Sequence, residues 1–314
     1  MQVRGRPVRF GVQVQPQNTS WPEYLGALQS VEDLEFDTVW CWDHLLPVYG
    51  SEESPCFETL TTLGAMAAVT TRARVGVLVN GVLYRDPVTL AKAAATVDQI
   101  SGGRLEFSLG GAWARREFKA YGLPFRSLEE RYERLDEALQ IIKSLWSQAR
   151  TTFEGRYYRV EDAPCEPKPV QKPHPPIMVG GIGSGCLRIA ARHADSSNGH
   201  GSLEQTAERS ALLQSFCEEV GRDFDEIELS LHSDVAVATT REGAEALAFG
   251  VAALSGGDLE TQRPNWIIGT PNEVVAQFRR FADIGVSHFI FHLGAPFDLT
   301  SARLLRKEVI PAFQ

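Results

Sequence analysis

Hydrophobic residues along this chain follow two alternating patterns, namely short continuous apolar runs and longer stretches with helical spacing. A short apolar run bounded by turn residues predicts a buried strand, whereas apolar positions that recur every three or four residues predict an amphipathic helix. Helical spacing follows each apolar run, for example at 21–34, 58–69 and 88–100. The apolar runs predict eight strands, at residues 8–14, 37–42, 74–80, 105–109, 177–179, 194–198, 227–238 and 286–293.

Strands that alternate with helices predict parallel βα units. Eight such units in 314 residues fit a closed (β/α)8 TIM barrel better than an open doubly wound sheet. The alternation is interrupted at about 151–174, where the sequence predicts a small hairpin and an extended proline-rich segment. Helical and strand patterns resume directly afterwards. We therefore expect one domain over residues 1–314 that carries an insertion.

Composition narrows the class of protein. The formal net charge of −9 argues against nucleic acid or an anionic membrane as the main partner. No apolar run is long enough to cross a bilayer, so we expect a soluble cytoplasmic protein. The five cysteines never form a C-x-x-C pair, which favours reduced, mainly buried thiols.

Asp43 and His44 follow the second predicted strand, so both belong to the catalytic face of a barrel. A histidine there can relay a proton near neutral pH, and a neighbouring carboxylate can orient it. The alternative is a histidine that only satisfies backbone groups at the start of a loop. Position favours the catalytic interpretation, with His44 as proton carrier and Asp43 as its orienting partner.

Small residues stand where other predicted strands end. Gly110, Gly111 and Ala112 follow the fourth strand, where they either allow a ligand to approach the backbone or simply ease a turn. The glycines at 180–185 join the fifth strand to a helix and favour phosphate binding over an ordinary turn. They do not form a dinucleotide fingerprint, because Cys186 occupies the last position of that motif. The segment from Leu78 to Gly81 is either a strand and turn or a backbone bulge against a planar ring.

Other chemistries find little support. His288 and His292 lie four apart on one face of a strand and His232 could join them, but no carboxylate or His-x-His completes a metal site. We therefore predict no metal. The chain has no G-x-S-x-G motif, no cysteine with an evident histidine partner, and no lysine at a convincing strand end for a Schiff base.

Seven motifs, taken together and in order, resemble the luciferase-like monooxygenase superfamily, specifically its branch that uses the deazaflavin coenzyme F420. They extend over nearly the whole chain. They are Trp42-Asp43-His44-Leu45, Arg85-Asp86-Pro87 with Leu90-Ala91-Lys92, 98–104 with 110–113, 153–158, 167–171, Gly180-Gly181 and 190–195.

The resemblance implies a bacterial luciferase-like barrel, usually dimeric, that holds its flavin-type ring at the carboxyl ends of the strands. His44 would lie beside the reactive edge of the deazaflavin, and Leu78-Val79 matches the non-prolyl cis peptide behind the ring. Asn80 belongs to the same bulge. Gly110, Gly111 and Ala112 would lie near the ring and its tail, and Gly180 and Gly181 would bind the phosphate. The implied reaction is hydride transfer between C5 of the deazaflavin and a small organic substrate.

The chain also departs from the family pattern. Ala112 replaces a usual glycine, and Trp113 stands where the sugar-phosphate dehydrogenases of the family carry a glutamate. We expect Trp42, Tyr84 and Trp113 to form an apolar substrate wall. The anionic tail of F420 needs a basic patch, for which the candidates are Lys168, Lys172 and Arg188.

Three other interpretations remain open at this point. An FMN-dependent monooxygenase of the same superfamily would use many of the same positions. A non-catalytic protein that binds flavin or deazaflavin would keep the cofactor residues without turnover. An unrelated barrel enzyme would bind neither cofactor.

Overall fold

In the computed structural model, which describes all 314 residues, eight parallel strands close into a barrel. Each strand pairs with the next one along the chain, and the last pairs with the first, so the sheet has no free edge. The predicted (β/α)8 TIM barrel is confirmed. Strands β1–β8 are Arg9–Val14, Thr38–Cys41, Arg74–Val77, Leu105–Gly110, Ile177–Gly180, Ser196–Gly199, Glu228–Ser233 and Val286–Leu293.

Helices surround the barrel and connect its strands. Helices α1–α11 are Trp21–Asp33, Thr59–Val69, Pro87–Ser101, Arg115–Ala120, Leu128–Ser147, Ser184–His193, Leu203–Val220, Arg241–Leu254, Leu259–Gln262, Pro271–Asp283 and Thr300–Leu304. None of them combines the length and the hydropathy that a bilayer span requires. Short 3-10 or π turns cover Phe224–Glu226, Arg263–Asn265, Leu305–Val309 and Ile310–Phe313.

Helix boundaries follow capping residues in the sequence. The Ser20 side chain accepts from the Glu23 N–H, and Glu23 returns the contact to the Ser20 N–H, which starts α1 with a capping box. The Asp86 side chain caps α3, and Pro87 occupies its first turn as predicted. The same helix ends at Gly102, whose φ of 65° lies in the left-handed region that favours glycine.

Side chains alternate between the two surfaces of the barrel wall. Phe10, Val12 and Val14 of β1 pack with the helices in the main hydrophobic core. A smaller cluster fills the inside of the barrel and consists of Trp40, Leu78, Met178 and Ile290. The barrel interior is therefore packed, and a ligand can bind only at its ends.

Charged residues close the amino-terminal end of the barrel. Arg9 binds both Glu106 and Glu228, with nitrogen–oxygen distances of 2.5 Å to each. Its guanidinium also lies 3.3 Å from Nδ1 of the fully buried His288, whose Nε2 is 2.9 Å from the Thr38 hydroxyl. These residues come from five strands, so the network ties opposite sides of the barrel together.

The insertion has the predicted form. Thr151–Glu154 and Arg159–Ala163 pair as an antiparallel hairpin. The proline-rich segment is fixed by Gln171, whose backbone N–H donates to Asp98 Oδ2 at 3.0 Å and whose side-chain amide donates to the Leu105 carbonyl at 2.8 Å. The segment therefore packs onto the start of β4.

The prediction of one continuous strand at 227–238 is wrong. The barrel strand ends at Ser233, and Val235–Val237 pairs instead with Ile267–Gly269 in a separate parallel sheet. The Ser233 hydroxyl donates to the Asn265 carbonyl at 2.8 Å, which holds the chain where it leaves the barrel. An apolar run does not show which neighbour a strand pairs with, so the pattern could not reveal this break.

Candidate active site

The small residues predicted to contact a cofactor come together at the carboxyl ends of neighbouring strands. Gly180 at the end of β5 lies opposite Gly110 at the end of β4. Gly110 also lies opposite Gly81, which follows the bulge after β3. His44 follows β2, the next strand in the barrel. The residues proposed for one site therefore share one edge of the barrel.

The segment after β3 is a bulge and contains the expected non-prolyl cis peptide between Leu78 and Val79. The Leu78 side chain points down into the interior cluster, and its carbonyl accepts from Gln13 Nε2 at 3.0 Å. Val79 packs on the two strand-end glycines: a Cβ on Gly110 would lie 2.7 Å from Val79 Cγ2, and one on Gly180 would lie 2.5 Å from Val79 Cγ1. Close packing of Val79 therefore requires glycine at both positions.

Asn80 is buried beside this bulge. Its Nδ2 donates to the Ser108 carbonyl at 2.9 Å, but its Oδ1 has no hydrogen-bond partner in the protein. Buried polar atoms are nearly always satisfied, so an orphan acceptor here is a sign of a functional site.

Ala112 has a φ of 57°, in the left-handed region that non-glycine residues seldom occupy. This conformation explains why the resemblance places a glycine at the same position. Gly111 and Ala112 are both half-buried, so the backbone stays accessible at the end of β4.

His44 is oriented by a carboxylate that the sequence analysis did not identify. Its Nδ1 lies 2.8 Å from Glu117 Oε1, and the other carboxylate oxygen accepts from the Leu45 N–H at 3.2 Å and from the Tyr84 hydroxyl at 2.5 Å. The Glu117 side chain is only 1% exposed. Such a pair fixes both the direction of the imidazole and the nitrogen that faces the carboxylate.

Glu117 is held in its ionised form. Burial by itself would raise the pKa of Glu117, but hydrogen bonds and charge from His44, with the Tyr84 and Leu45 donors, outweigh burial and lower that pKa. The pKa of Tyr84 is raised, first by burial and then by its contact with Glu117, so Tyr84 remains a donor. The ionised carboxylate therefore accepts hydrogen bonds from its three neighbours and holds the His44 ring in place.

The expectation that Asp43 orients His44 is wrong. Both Asp43 carboxylate oxygens contact Arg85 Nη1, at 2.8 and 2.9 Å, and one of them accepts from the Gly81 N–H at 2.9 Å. Asp43 therefore anchors the segment after the bulge. The side chains of neighbouring residues in an extended segment point in opposite directions, so Asp43 and His44 point away from each other although they are adjacent in sequence.

The three aromatic residues predicted to form a substrate wall do not all lie together. His44 stands between two indoles, with ring centroids 5.3 Å from Trp42 and 5.4 Å from Trp113. Trp42 is buried and Trp113 is 66% exposed, so Trp113 covers the site from the solvent side. Tyr84 does not belong to this wall, because its ring stacks on Phe118 at 4.8 Å and its hydroxyl is used by Glu117.

The loop after β5 leads into α6 as predicted. Gly181 has a φ of 142°, and the N-cap residue Gly183 offers no side chain to the first N–H groups of the helix. The ring of Tyr132 packs so closely that a Cβ on Gly183 or Gly185 would meet it within 2.5 Å. The free N–H groups and the helix dipole favour an anion at this end of α6.

The basic residues near this helix are not the expected ones. Lys168 donates to the Leu145 carbonyl at 2.8 Å, Lys172 donates to the Pro169 carbonyl at 3.0 Å, and Arg188 pairs with Glu219. Arg131, which the sequence analysis did not name, donates to the Gly111 and Ala112 carbonyls and has no carboxylate partner. A lone arginine on a long helix carries no sequence signal that would have singled it out.

A cavity of about 730 Å³ opens beside these residues. Trp42 and Tyr49 line one side, and the ends of β7 and β8 with helix α8 line the other. Trp42 contacts both the cavity and His44, so it joins the two parts of the site. His232 and His292 line the cavity, but His288 lies apart in the network around Arg9, and no three ligating side chains are arranged to hold a metal ion.

Fold and site together define a TIM-barrel enzyme whose polar residues converge at the carboxyl ends of β2–β5. The chain belongs to the luciferase-like monooxygenase family, which it matches over residues 7–265.

Two of the three similar proteins described below match almost the whole chain, and the third matches about half of it. An F420-dependent glucose-6-phosphate dehydrogenase of Microbacterium testaceum is 30% identical, over 97% of this chain and 97% of the relative. An F420-dependent secondary alcohol dehydrogenase, solved with an F420-acetone adduct, superposes with a TM-score of 0.84 at 20% identity, covering 98% of this chain and 99% of that one. An FMNH(2)-dependent dimethylsulfone monooxygenase of Pseudomonas putida is 34% identical, but over 47% of this chain and 40% of its own length.

Proposed function

We propose that this protein is an F420-dependent oxidoreductase that transfers a hydride between C5 of the deazaflavin and a small organic substrate. The observation that carries the proposal is the placement of His44, oriented by Glu117, at the same barrel edge as the Leu78–Val79 bulge and the strand-end glycines. The full-length similarity to F420-dependent dehydrogenases supports this choice of cofactor.

The residues at this edge fit a planar ring with a polar rim. The bulge offers an apolar support at Val79, and Asn80 Oδ1 is an acceptor with no partner in the protein. Gly111 and Ala112 leave the backbone accessible nearby. When bound, F420 supplies the hydride chemistry at C5, whereas the protein supplies orientation and the proton.

His44 would hold or release that proton. Its Nδ1 faces ionised Glu117, which orients the ring, and Trp42 and Trp113 flank the ring and limit the approach of water. The tail phosphate would be held by the uncapped N–H groups of α6 and by Arg131.

The substrate that we propose is not a sugar phosphate. Trp113 replaces the glutamate of the sugar-phosphate dehydrogenases, and no lysine or arginine lines the cavity. A phosphate dianion buried there would find no lysine or arginine to pair with, and the His292 imidazole is already paired with Asp234. These features support a neutral substrate.

FMN is the alternative cofactor, and the partial similarity to the Pseudomonas putida monooxygenase favours it as the second candidate. Titration of the purified protein with oxidised F420 and, separately, with FMN distinguishes the two. We expect micromolar or tighter F420 binding and weaker FMN binding. The reverse preference, with oxygen uptake on turnover, would identify an FMN-dependent oxygenase. Binding of neither cofactor would contradict the proposed function.

Replacement of His44 separates an enzyme from a protein that only binds the cofactor. We expect His44→Asn to keep F420 affinity within a few-fold but to lower the rate of F420 reduction or reoxidation about 100-fold or more, because the proton group is lost. His193→Asn, which removes a hydrogen-bond contact with Asp136 at the far end of α6, is the matched control and should retain the rate. Unchanged rates in His44→Asn would support the binding protein.

We further propose that the chain forms one domain, that it is a homodimer, and that it works in the cytoplasm, as the resemblance and the composition imply. Light scattering should give a mass of twice 34.7 kDa. One cooperative unfolding transition should be seen, whereas two would indicate separate domains.

A further inference from the structure

Three histidines stand together in the cavity, apart from His44. His200 follows β6, His232 lies in β7 and His292 lies in β8. Their ring centroids are 5.0 Å apart for His200 and His232, and 5.5 Å apart for His232 and His292. All three line the cavity, and nothing in the proton relay at His44 uses them.

The hydrogen bonds of Asn198 determine the tautomer of His232. Asn198 Nδ2 donates to the Ser230 hydroxyl at 2.8 Å, so Asn198 Oδ1 is the acceptor for His232 Nδ1, 2.7 Å away. Nδ1 therefore carries the proton, and Nε2 of the neutral ring is an acceptor. His232 Nε2 has no hydrogen-bond partner in the protein.

His292 differs from His232 in its hydrogen-bonding role. Its Nδ1 lies 3.2 Å from Asp234 Oδ1, and its Nε2 also has no partner in the protein. Burial by itself would lower the pKa of His292, but the Asp234 carboxylate outweighs burial and raises that pKa. The pKa of His232 is well below its ordinary value, first because of burial and then because of the charge on His292. His292 therefore favours the donor form and His232 the acceptor form.

We propose that this cluster is a binding site for a hydroxyl group of the substrate, which accepts a hydrogen bond from His292 Nε2–H and donates one to His232 Nε2. A hydroxyl is the simple group that does both, whereas a ketone or an ether can only accept. An acceptor-only group placed here would leave His232 Nε2 facing another lone pair, without a hydrogen bond.

The rest of the cavity suits the body of such a substrate. Leu247, Val251 and Leu254 of α8 contribute apolar surface, and no lysine or arginine is present. The substrate class is therefore a neutral molecule with an apolar body and at least one hydroxyl group. This inference deepens the proposed function, because it assigns the part of the substrate that lies away from His44.

The test uses binding without turnover. Protein labelled with nitrogen-15 in histidine is titrated with cyclohexanol and with cyclohexyl methyl ether. In the ether a methyl group replaces the hydroxyl hydrogen, so the oxygen can accept a hydrogen bond but cannot donate one. We expect cyclohexanol to shift the Nε2 signals of His232 and His292 and to bind about tenfold more tightly than the ether, the contribution of roughly one hydrogen bond. His44 signals should move less than those of the cluster.

Variants test the role of each ring. His232→Phe should abolish the preference for the alcohol, and His232→Gln, which retains an acceptor oxygen, should recover part of it. His193→Asn should keep the preference, and thermal unfolding establishes that each variant is folded. Equal binding of the two probes by the wild type, or binding that shifts none of the three cluster histidines, overturns the inference. F420 titration of the same samples is independent, so failure of the cluster and failure of the cofactor proposal are distinguishable.

Discussion

At the scale of single residues, the side chain that decides what His44 can do is Glu117, which lies 73 positions away along the chain. It is buried, ionised and shared by three donors, so it fixes the direction of the imidazole. Asp43, the immediate neighbour of His44, serves the backbone at Gly81 and the guanidinium of Arg85. The candidate catalytic pair is therefore His44 and Glu117.

Replacing Glu117 by Gln tests this pairing. The amide keeps the shape of the side chain but removes the charge, so we expect the rate with F420 to fall about 100-fold. F420 affinity should change little.

Glu129→Gln, at an exposed position on α5, is the matched control and should behave as wild type. A wild-type rate in Glu117→Gln would contradict the role given to the carboxylate.

At the scale of elements, the glycine-ended strands β4 and β5 form a platform for the bulge after β3. Gly110 and Gly180 leave room for Val79, and Asp43 binds the N–H of Gly81 just beyond it. The sequence analysis singled out these glycines as candidates for cofactor contact. Their immediate contact is nevertheless a valine of the protein, which the sequence could not show.

Two glycine variants should respond differently to removal of Val79 methyl groups. The three atoms nearest to a Cβ on Gly180 all belong to Val79, whereas a Cβ on Gly110 also lies 2.8 Å from the Gly180 carbonyl oxygen. We expect Gly180→Ala and Gly110→Ala each to lower the free energy of unfolding by about 1–3 kcal/mol. Adding Val79→Ala should recover stability only for Gly180→Ala, because a backbone oxygen cannot retract.

Chemical denaturation of the two double variants measures this coupling. Equal recovery for both glycines would show that Val79 is the only obstacle at Gly110.

At the scale of the whole molecule, a network of charged residues closes the amino-terminal end of the barrel, and the candidate active site lies at the opposite end. The network of Arg9, Glu106, Glu228 and His288 joins strands from opposite sides of the amino-terminal end. Burial and the charge of Arg9 lower the pKa of His288 to about 4. The pKa of Glu106 is about 2, because Arg9 and its cationic neighbours outweigh the effect of burial.

These pKa values predict a loss of stability in acid. Between pH 6.5 and about 4, the unfolded chain binds a proton at His288 before the folded chain does, so the free energy of unfolding falls, by about 3 kcal/mol for this group. Below pH 4.5 the carboxyl of Glu106 is protonated first in the unfolded chain, and stability falls further towards pH 2. Urea unfolding as a function of pH measures both effects.

His288→Gln should flatten the first decline, whereas His174→Gln, at a histidine outside the network, should leave it unchanged. A decline of the same size in His288→Gln would assign the acid sensitivity to other groups.

The sequence by itself determined the barrel, the insertion and the edge at which the site lies. Strand and helix periodicities are local, and they persist in the folded chain because every βα unit buries its own apolar face. Glycine pairs and the position of His44 after β2 are likewise visible without any contact information. These features placed the proposed cofactor residues correctly at one edge of the barrel.

Only the tertiary structure decided which side chains act together. Glu117, Arg131 and His200 lie in separate segments of the chain, and no spacing along the chain relates them to His44 or to His232 and His292. It also assigned Asp43 and Tyr84 to supporting contacts and divided the seventh predicted strand between two sheets. The physical reason is that closure of the barrel brings together the ends of strands that are far apart in sequence, and side-chain direction within each segment then selects the partners.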